Sequence, residues 1–347
     1  MSRNIVPRVN KGADLGTAEK NWNRVFADAV ILRGNDLKML LDSKINSDML
    51  TTKGDLYVAA DAGVITRLPA GADGHVLRSN SIVPNGLEWA QPEARQGLTN
   101  NIVVTVGNGG DFNTINAALE SLVSLYYPKY ISGGDYPTVT ITLLPGFVMN
   151  EQVLVKSLDL SWITINGIDD ETEINRSALT TNFAGGYPAF GAENNGFLPV
   201  IGQLFNMNTS GTGTYRDGIS LRNNSHVTVA SGCGIKNAGS SGIYATANSS
   251  ANVRSANFSG AGVTGCSAVC CSTISARYVN ASGSKGSGIS ASEGGIVFAE
   301  EADASNAITY GFRVWHGGII VAHGASGTLS ESKNTLTAHG IIFAYWS

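Results

Sequence analysis

Charge is scarce in this chain. Asp, Glu, Lys and Arg make up 14% of its 347 residues, against roughly 25% in ordinary globular domains. No basic stripe or RNA-binding motif is present, and a formal net charge of −4 gives no reason to expect nucleic acid as a partner. No apolar run approaches the roughly 18 residues of a membrane span, and the start "MSRNIVPRVNKG" lacks the apolar block of a signal peptide. The chain therefore reads as soluble, without membrane insertion, and made in a cytoplasm. Cysteine is scarce too. Cys233, Cys266, Cys270 and Cys271 match no zinc spacing and are expected to be buried free thiols that act as small apolar residues. With no GxSxG elbow, phosphate loop or HExxH, no cofactor and no metal are expected.

What the chain has in quantity is glycine, 42 residues, beside 43% apolar residues, enough to bury a core. The stretch "GSGISASEGGIVFAEEADASNAITYGFRVW" (286–315) shows how they are arranged. Glycines that precede an apolar residue recur at Gly218, Gly242, Gly265, Gly288, Gly311 and Gly340, with successive differences of 24, 23, 23, 23 and 29. A fixed period in the twenties signals a solenoid. One residue after each glycine come Ile219, Ile243, Cys266, Ile289 and Phe312; three after come Leu221, Ala245, Ala268, Ala291 and Val314. Mostly polar residues stand between them, an alternation of period two. The leucine ladder of a leucine-rich repeat is missing, and the glycine density rules out helical repeats. The expectation is a mainly β protein whose coils of about 23 residues stack as a right-handed parallel β-helix. The longer last interval then implies six extra residues in the last full coil.

Open solenoid ends need covers. In "DFNTINAALESLVSLYYPK" (111–129), Ile115, Ala118, Leu119, Leu122 and Tyr126 share one helical face, with Pro128 as the stop. The first strands are read in "TVTITLLPGFV" and "QVLVKSLDLSWITINGID", and a loop insertion is read at about 171–215. No separate domain is seen after "GIIFAYWS", so Phe343, Tyr345 and Trp346 are expected to cap the last coil or pack in an oligomer.

The N-terminal part differs in composition. Residues 1–95 hold 12 Lys+Arg and 11 Asp+Glu, leaving 11 and 16 for the much longer remainder. Three parts follow: 1–50, 51–95 and 96–347. In the first, Leu37, Leu40, Leu41 and Ile45 share a face of a short helix with Asn35 or Asp36 as N-cap. Such a helix needs a partner.

The stretch "LGTAEKNWNRVFAD" resembles the virion-attachment regions of bacteriophage tail fibres and tailspikes. "TTKGDLYVAADAGVITRLPAGADGHVLRSNSIVPNGLEWA" (51–90) is similar to a short module that forms a trimeric β neck in such fibres. The start of the β part resembles the capped start of tailspike pectate-lyase-like β-helices. Together these cover about half the chain. The resemblance implies a homotrimer in the virion tail, docked through its N-terminus (Trp22, Leu37, Leu40, Leu41) to other tail or baseplate proteins. It also implies attachment to bacterial surface polysaccharide, lipopolysaccharide or capsule. A polysaccharide depolymerase, glycosidase or lyase, is the alternative, and a structural adaptor carrying another spike is a third reading.

For chemistry, a paired-carboxylate mechanism would fall to Glu301 and Asp303, about 7 Å apart if they lay on one strand. Glu300, stacked with Arg277 and His323, is expected to stay ionised. The acidic run "DDETE" (169–173) and the Arg216–Asp217 pair read as structural. For sugar binding, alternation places Arg313 and Trp315 on one outward face with His316 at the turn. That face is expected to carry Val269 and Ile342 as well, so contact between subunits is the first expectation for it and sugar binding the second. Tyr187, Phe190 and Phe197 are loop aromatics that suit either a lid or a binding surface.

Overall fold

A computed structural model describes residues 49–92, 95–129, 137–208, 216–327 and 340–344, together with the backbone of 31–32, 35–36 and 329–331. Contacts divide the chain into two units, Met1–Glu93 and Ala94–Ser347. Among the described residues, no helix is long and apolar enough to cross a membrane.

The first unit contains two antiparallel hairpins, Leu56–Asp61 with Val64–Leu68 and Val76–Ser79 with Leu87–Ala90. The Asp55 carboxylate ties the base of the first hairpin. It accepts the Thr51, Thr52 and Ala70 backbone N–H groups and Arg67 Nε at 2.8 Å. Burial alone would raise its pKa; the Arg67 and backbone donors outweigh that and hold it well below the usual carboxylate range. Ile31–Leu32 pairs with Asn35–Asp36, so Asn35 and Asp36 belong to a strand pair instead of capping a helix. Trp22 and the stripe Leu37, Leu40, Leu41 and Ile45 lie outside the described residues.

The second unit is mainly β, and all its named strands pair in parallel. Val139–Leu143 shows why they form: its alternating residues are buried and half-buried in strict turn, the signature of a strand with one face on the core. It lies between Ile102–Val106 and Ile163–Gly167, so a strand also precedes the helix. The long sheet has eight strands, in the order Val153–Lys156, Phe190–Glu193, Ile219–Arg222, Ser241–Thr246, Thr264–Ala268, Ser287–Ser292, Tyr310–Trp315 and Leu329–Glu331. Its register puts Ile243 beside Cys266, Cys266 beside Ile289 and Ile289 beside Phe312, and all four are fully buried. A six-stranded sheet aligns Ala251, Ile274, Val297 and Ile320 in the same way. A third side is a four-stranded sheet that ends at Gly234–Lys236, beyond which it is reduced to one bridging residue per repeat: Asn257, Asn280, Asp303 and Ser326.

This arrangement accounts for a core built from small residues. Alanine files such as Ala245, Ala268 and Ala291 remove little apolar area each. Every interior strand is hydrogen-bonded on both sides, however, so few backbone groups remain to be satisfied. The helix Ile115–Leu125 buries Ile115, Ala118, Leu119 and Leu122 against the first strands. Thr114 caps it, and the Glu151 carboxylate accepts the Ile115 and Asn116 N–H groups at 2.6 and 3.1 Å. It ends where Tyr126 turns extended and Tyr126–Tyr127 pairs with Gln96–Gly97.

Several expectations are corrected. Gly340 does not continue the glycine series, because Phe312 pairs with Leu329, well short of a full period further on. Ile341–Phe343 instead joins the six-stranded sheet beside Ile319–Val321. No six-residue lengthening of that coil is present, and Ile342 is not on the face of Arg313 and Trp315. Phe343 is exposed, whereas Tyr345 and Trp346 lie outside the described residues. The segment 171–215 is not one excursion: Thr172–Ile174, Phe190–Glu193, Val200–Gly202 and Leu204–Met207 all take regular places in the sheets. Phe190 is a core residue against Phe205, ring centroids 5.2 Å apart, and is neither lid nor binding surface. Of the cysteines, only Cys266 is buried; Cys271 is exposed, since Cys270 and Cys271 form a two-residue turn with φ of 48° and 61°.

Candidate functional site

Side chains of the long sheet that face away from the core form files, just as the buried ones do. Tyr244, Ser267, Ser290 and Arg313 make one; Ser241, Thr264, Ser287 and Tyr310 make a second. The serines and threonine are nevertheless buried, and Ser290 Oγ donates to Ser267 Oγ at 3.0 Å. The face is thus a floor of hydroxyl groups repeating at about 4.8 Å.

Both ends of this floor carry larger groups. At one end the Arg313 guanidinium lies 4.4 Å from the Trp315 ring and 5.4 Å from the Tyr310 ring. Trp315 is half-buried and Arg313 exposed, so this stack offers an indole edge and spare guanidinium donors to a ligand. His316 follows at φ 47°, in a column of left-handed turn residues with Ala247, Cys270 and Glu293. Its position is set by the turn.

At the other end lies a cleft of about 280 Å³ lined by Gly185, Gly186, Asp217, Arg222, Ser241 and Tyr244. The Asp217 carboxylate is buried and accepts the Ser241 N–H at 2.9 Å. Burial pushes its pKa up, and the hydrogen bonds from Ser240 and Ser241 only partly oppose this. The Tyr244 phenol is raised by the same cause. Tyr187, next to the cleft loop, lies under the Arg216 guanidinium at 4.2 Å. The opposite charges of Arg216 and Asp217 therefore serve different surroundings. Sequence reading misses Arg222 and Tyr244 as site residues. The available signal is the period itself, which sets Ser220 beside Tyr244 and Arg222 beside Thr246.

A carboxyl with a raised folded pKa binds its proton more tightly in the folded than in the unfolded chain. Its effect on stability is therefore least unfavourable at low pH, and stability falls as the pH rises from the ordinary aspartate value through the raised one. Asp217→Asn should accordingly melt ~2–4 °C higher than wild type at pH 7, with the gap closing as the pH approaches the ordinary aspartate range. A variant that melts lower at every pH would show that the Ser240 and Ser241 hydrogen bonds outweigh the burial of charge.

The other sequence candidates occupy structural positions. Glu301 sits at φ 53° in a second left-handed turn column with Gly232, Ser255, Tyr278 and Gly324, and accepts from Tyr278 Oη at 3.3 Å. Asp303 continues the file of Asn257 and Asn280, each of which accepts the N–H two residues on. Burial would raise the Asp303 pKa, but donors from Ser305 and Ser326 outweigh it and hold the carboxyl below its ordinary value. The two carboxylates do not share one strand, so strand rise does not set their separation. Arg277 Nε lies 3.5 Å from Glu300, an ion-pair contact outside hydrogen-bond geometry. Glu171 pairs with Lys236 at 2.6 Å, and Asn208 donates to Glu173, so the "DDETE" run is tied into neighbouring strands. Phe197 is half-buried, edge-on to His226.

A larger groove of about 550 Å³ runs between the helix and Val153–Lys156. Its walls are mostly aliphatic, with Asn116, Glu120, Ser124 and Lys156 among them. Among the described residues, no group of three His, Cys, Asp or Glu could hold a metal ion. No protein-family model matches the chain, and no curated protein matches it.

Proposed function

We propose that the chain is a homotrimeric bacteriophage tail fibre or short tailspike that attaches the virion to host surface polysaccharide, lipopolysaccharide or capsule. In this reading the second unit is a right-handed parallel β-helix, its hand following the crossover rule for parallel strands. The stacked registers support the coil. Val64 and Val76 are 53% and 47% exposed in the small first unit, which supports a neck that hides them between copies. Docking to tail or baseplate proteins through the N-terminus rests on the resemblance at residues 15–28.

The observation that carries the binding function is the accessible stack of Arg313 on Trp315 and Tyr310 at the end of the long sheet. Extended glycans present hydroxyls at regular intervals and apolar ring faces. The Arg313 guanidinium and the part-open Trp315 indole match both. The test is retention of the full-length chain by surface polysaccharides purified from candidate hosts. Saturable binding supports the reading, and failure to bind any of them contradicts it.

The buried Asp217 favours a second reading, a depolymerase in which that carboxyl serves as a proton donor. Release of reducing ends or unsaturated products from a bound polysaccharide, lost in Asp217→Asn, would establish it. Binding without release keeps the chain an attachment protein.

A further inference from the structure

Beside the cleft, two arginines stand together, and neither forms an ion pair among the described residues. Arg216 covers the Tyr187 ring at 4.2 Å, and Arg176 Nη2 donates to the Asn237 carbonyl at 2.7 Å. Gly239 lets them approach: a Cβ built there would stand 3.1 Å from Arg216 Cβ and 3.4 Å from Arg176 Cζ. The Nε atom of each is buried and has no hydrogen-bond acceptor. Burial, and after it the charge of Arg216, pulls the Arg176 pKa down. Two like charges held side by side with unspent donors are unfavourable unless an anion completes them.

The pair borders the cleft directly. Tyr187 follows Gly186, Arg216 precedes Asp217, and Gly239 precedes Ser240, whose N–H donates to the Arg216 carbonyl at 2.9 Å. A group held by the two guanidiniums would therefore belong to a molecule whose neighbouring part enters the cleft. Planar guanidiniums suit oxyanions, which they bind through paired N–H donors.

We infer that Arg176 and Arg216 bind an oxyanion substituent of a sugar, so that the polysaccharide this face takes is acidic. This rests on the glycan-binding reading and specifies the substrate class. The substituent could be a uronate carboxylate or a phosphate, which share this chemistry.

The test compares binding of the full-length chain to one purified host polysaccharide in three forms: native, carboxyl-reduced, and stripped of phosphate with hydrofluoric acid. Wild type should bind the native form about tenfold or more tightly than the form lacking the substituent. Arg216→Ala and Arg176→Ala should each erase that ratio while leaving affinity for the stripped form unchanged. Arg216→Lys keeps the charge but not the planar fork, so it should retain part of the ratio and guards against simple misfolding. Loss on carboxyl reduction assigns a uronate, and loss on hydrofluoric acid treatment a phosphate. Equal binding to all three forms, or a ratio unchanged in the alanine variants, overturns the inference and leaves the glycan reading standing. If wild type binds no form, that reading itself fails.

Discussion

Gly288→Val should yield a chain that does not reach its native stack at 37 °C. Gly218, Gly242, Gly265 and Gly288 form a file in which an added Cβ would stand 2.5, 2.6, 2.7 and 2.8 Å from the carbonyl oxygen of the next glycine. At Gly288 it would also meet Ala304 Cβ at 2.6 Å. Real Cβ atoms do not approach that closely. Here the obstacle is backbone locked between two parallel neighbours, so no flexible side chain can yield. Overpacking of this kind, against backbone that cannot move, costs about 3 kcal/mol or more, a large part of the stability of a typical domain. Gly232→Asn is the control: its φ of +78° suits Asn, and an added Cβ there meets nothing within 4 Å. Thermal melts should show a change below about 1 kcal/mol for the control and loss of a cooperative transition for Gly288→Val. Equal behaviour of the two would mean that the glycine file is not at a close approach.

Trp315→Ala should weaken polysaccharide binding about twentyfold. A sugar ring on the open part of the indole removes roughly 70 Å² from water, worth about 1.8 kcal/mol at ~25 cal/mol/Å². Arg313→Ala should also weaken binding, and the double variant should lose less than the sum, because Arg313 rests on the same ring at 4.4 Å. Isothermal titration against the polysaccharide retained by wild type measures all three. An unchanged affinity in Trp315→Ala, with an unchanged melting temperature, would remove the aromatic end from the binding face.

The repeat is legible because stacking forces like residues into files. Ile243, Cys266, Ile289 and Phe312 share one environment, and so they share a spacing. The same reasoning fails at Gly340. A glycine followed by isoleucine is a local signal, whereas strand pairing depends on the length of the turn before it, and Leu329 arrives early. Phe190 escapes a sequence reading because it stands off the main period, 37 residues after its partner Val153 and 29 before its partner Ile219. The cleft is legible only in part. Asp217 meets Ser241, 24 residues on, which the period implies. Arg176 and Arg216 come from two irregular segments well separated in the chain, and no spacing brings them together. Cys270 and His316 stand out in the sequence as chemistry-bearing residues. Both are turn positions, at φ of 48° and 47°, a conformational demand invisible in composition.

Residues one period apart are direct neighbours along a stack of parallel strands. Ser250, Thr273, Ile296, Ile319 and Ile341 form one outward file by register. Four steps of about 4.8 Å put the backbones of Ser250 and Ile341 about 19 Å apart, although they lie far from each other along the chain. Pulsed electron resonance can measure this on spin labels at Ser250→Cys and Ile341→Cys, with the native cysteines replaced and the labelled chains diluted with unlabelled ones. A single narrow distribution centred on that separation, widened only by the label arms, is the predicted result. A broad distribution, or a distance beyond about twice that value, would contradict the stack and everything derived from it.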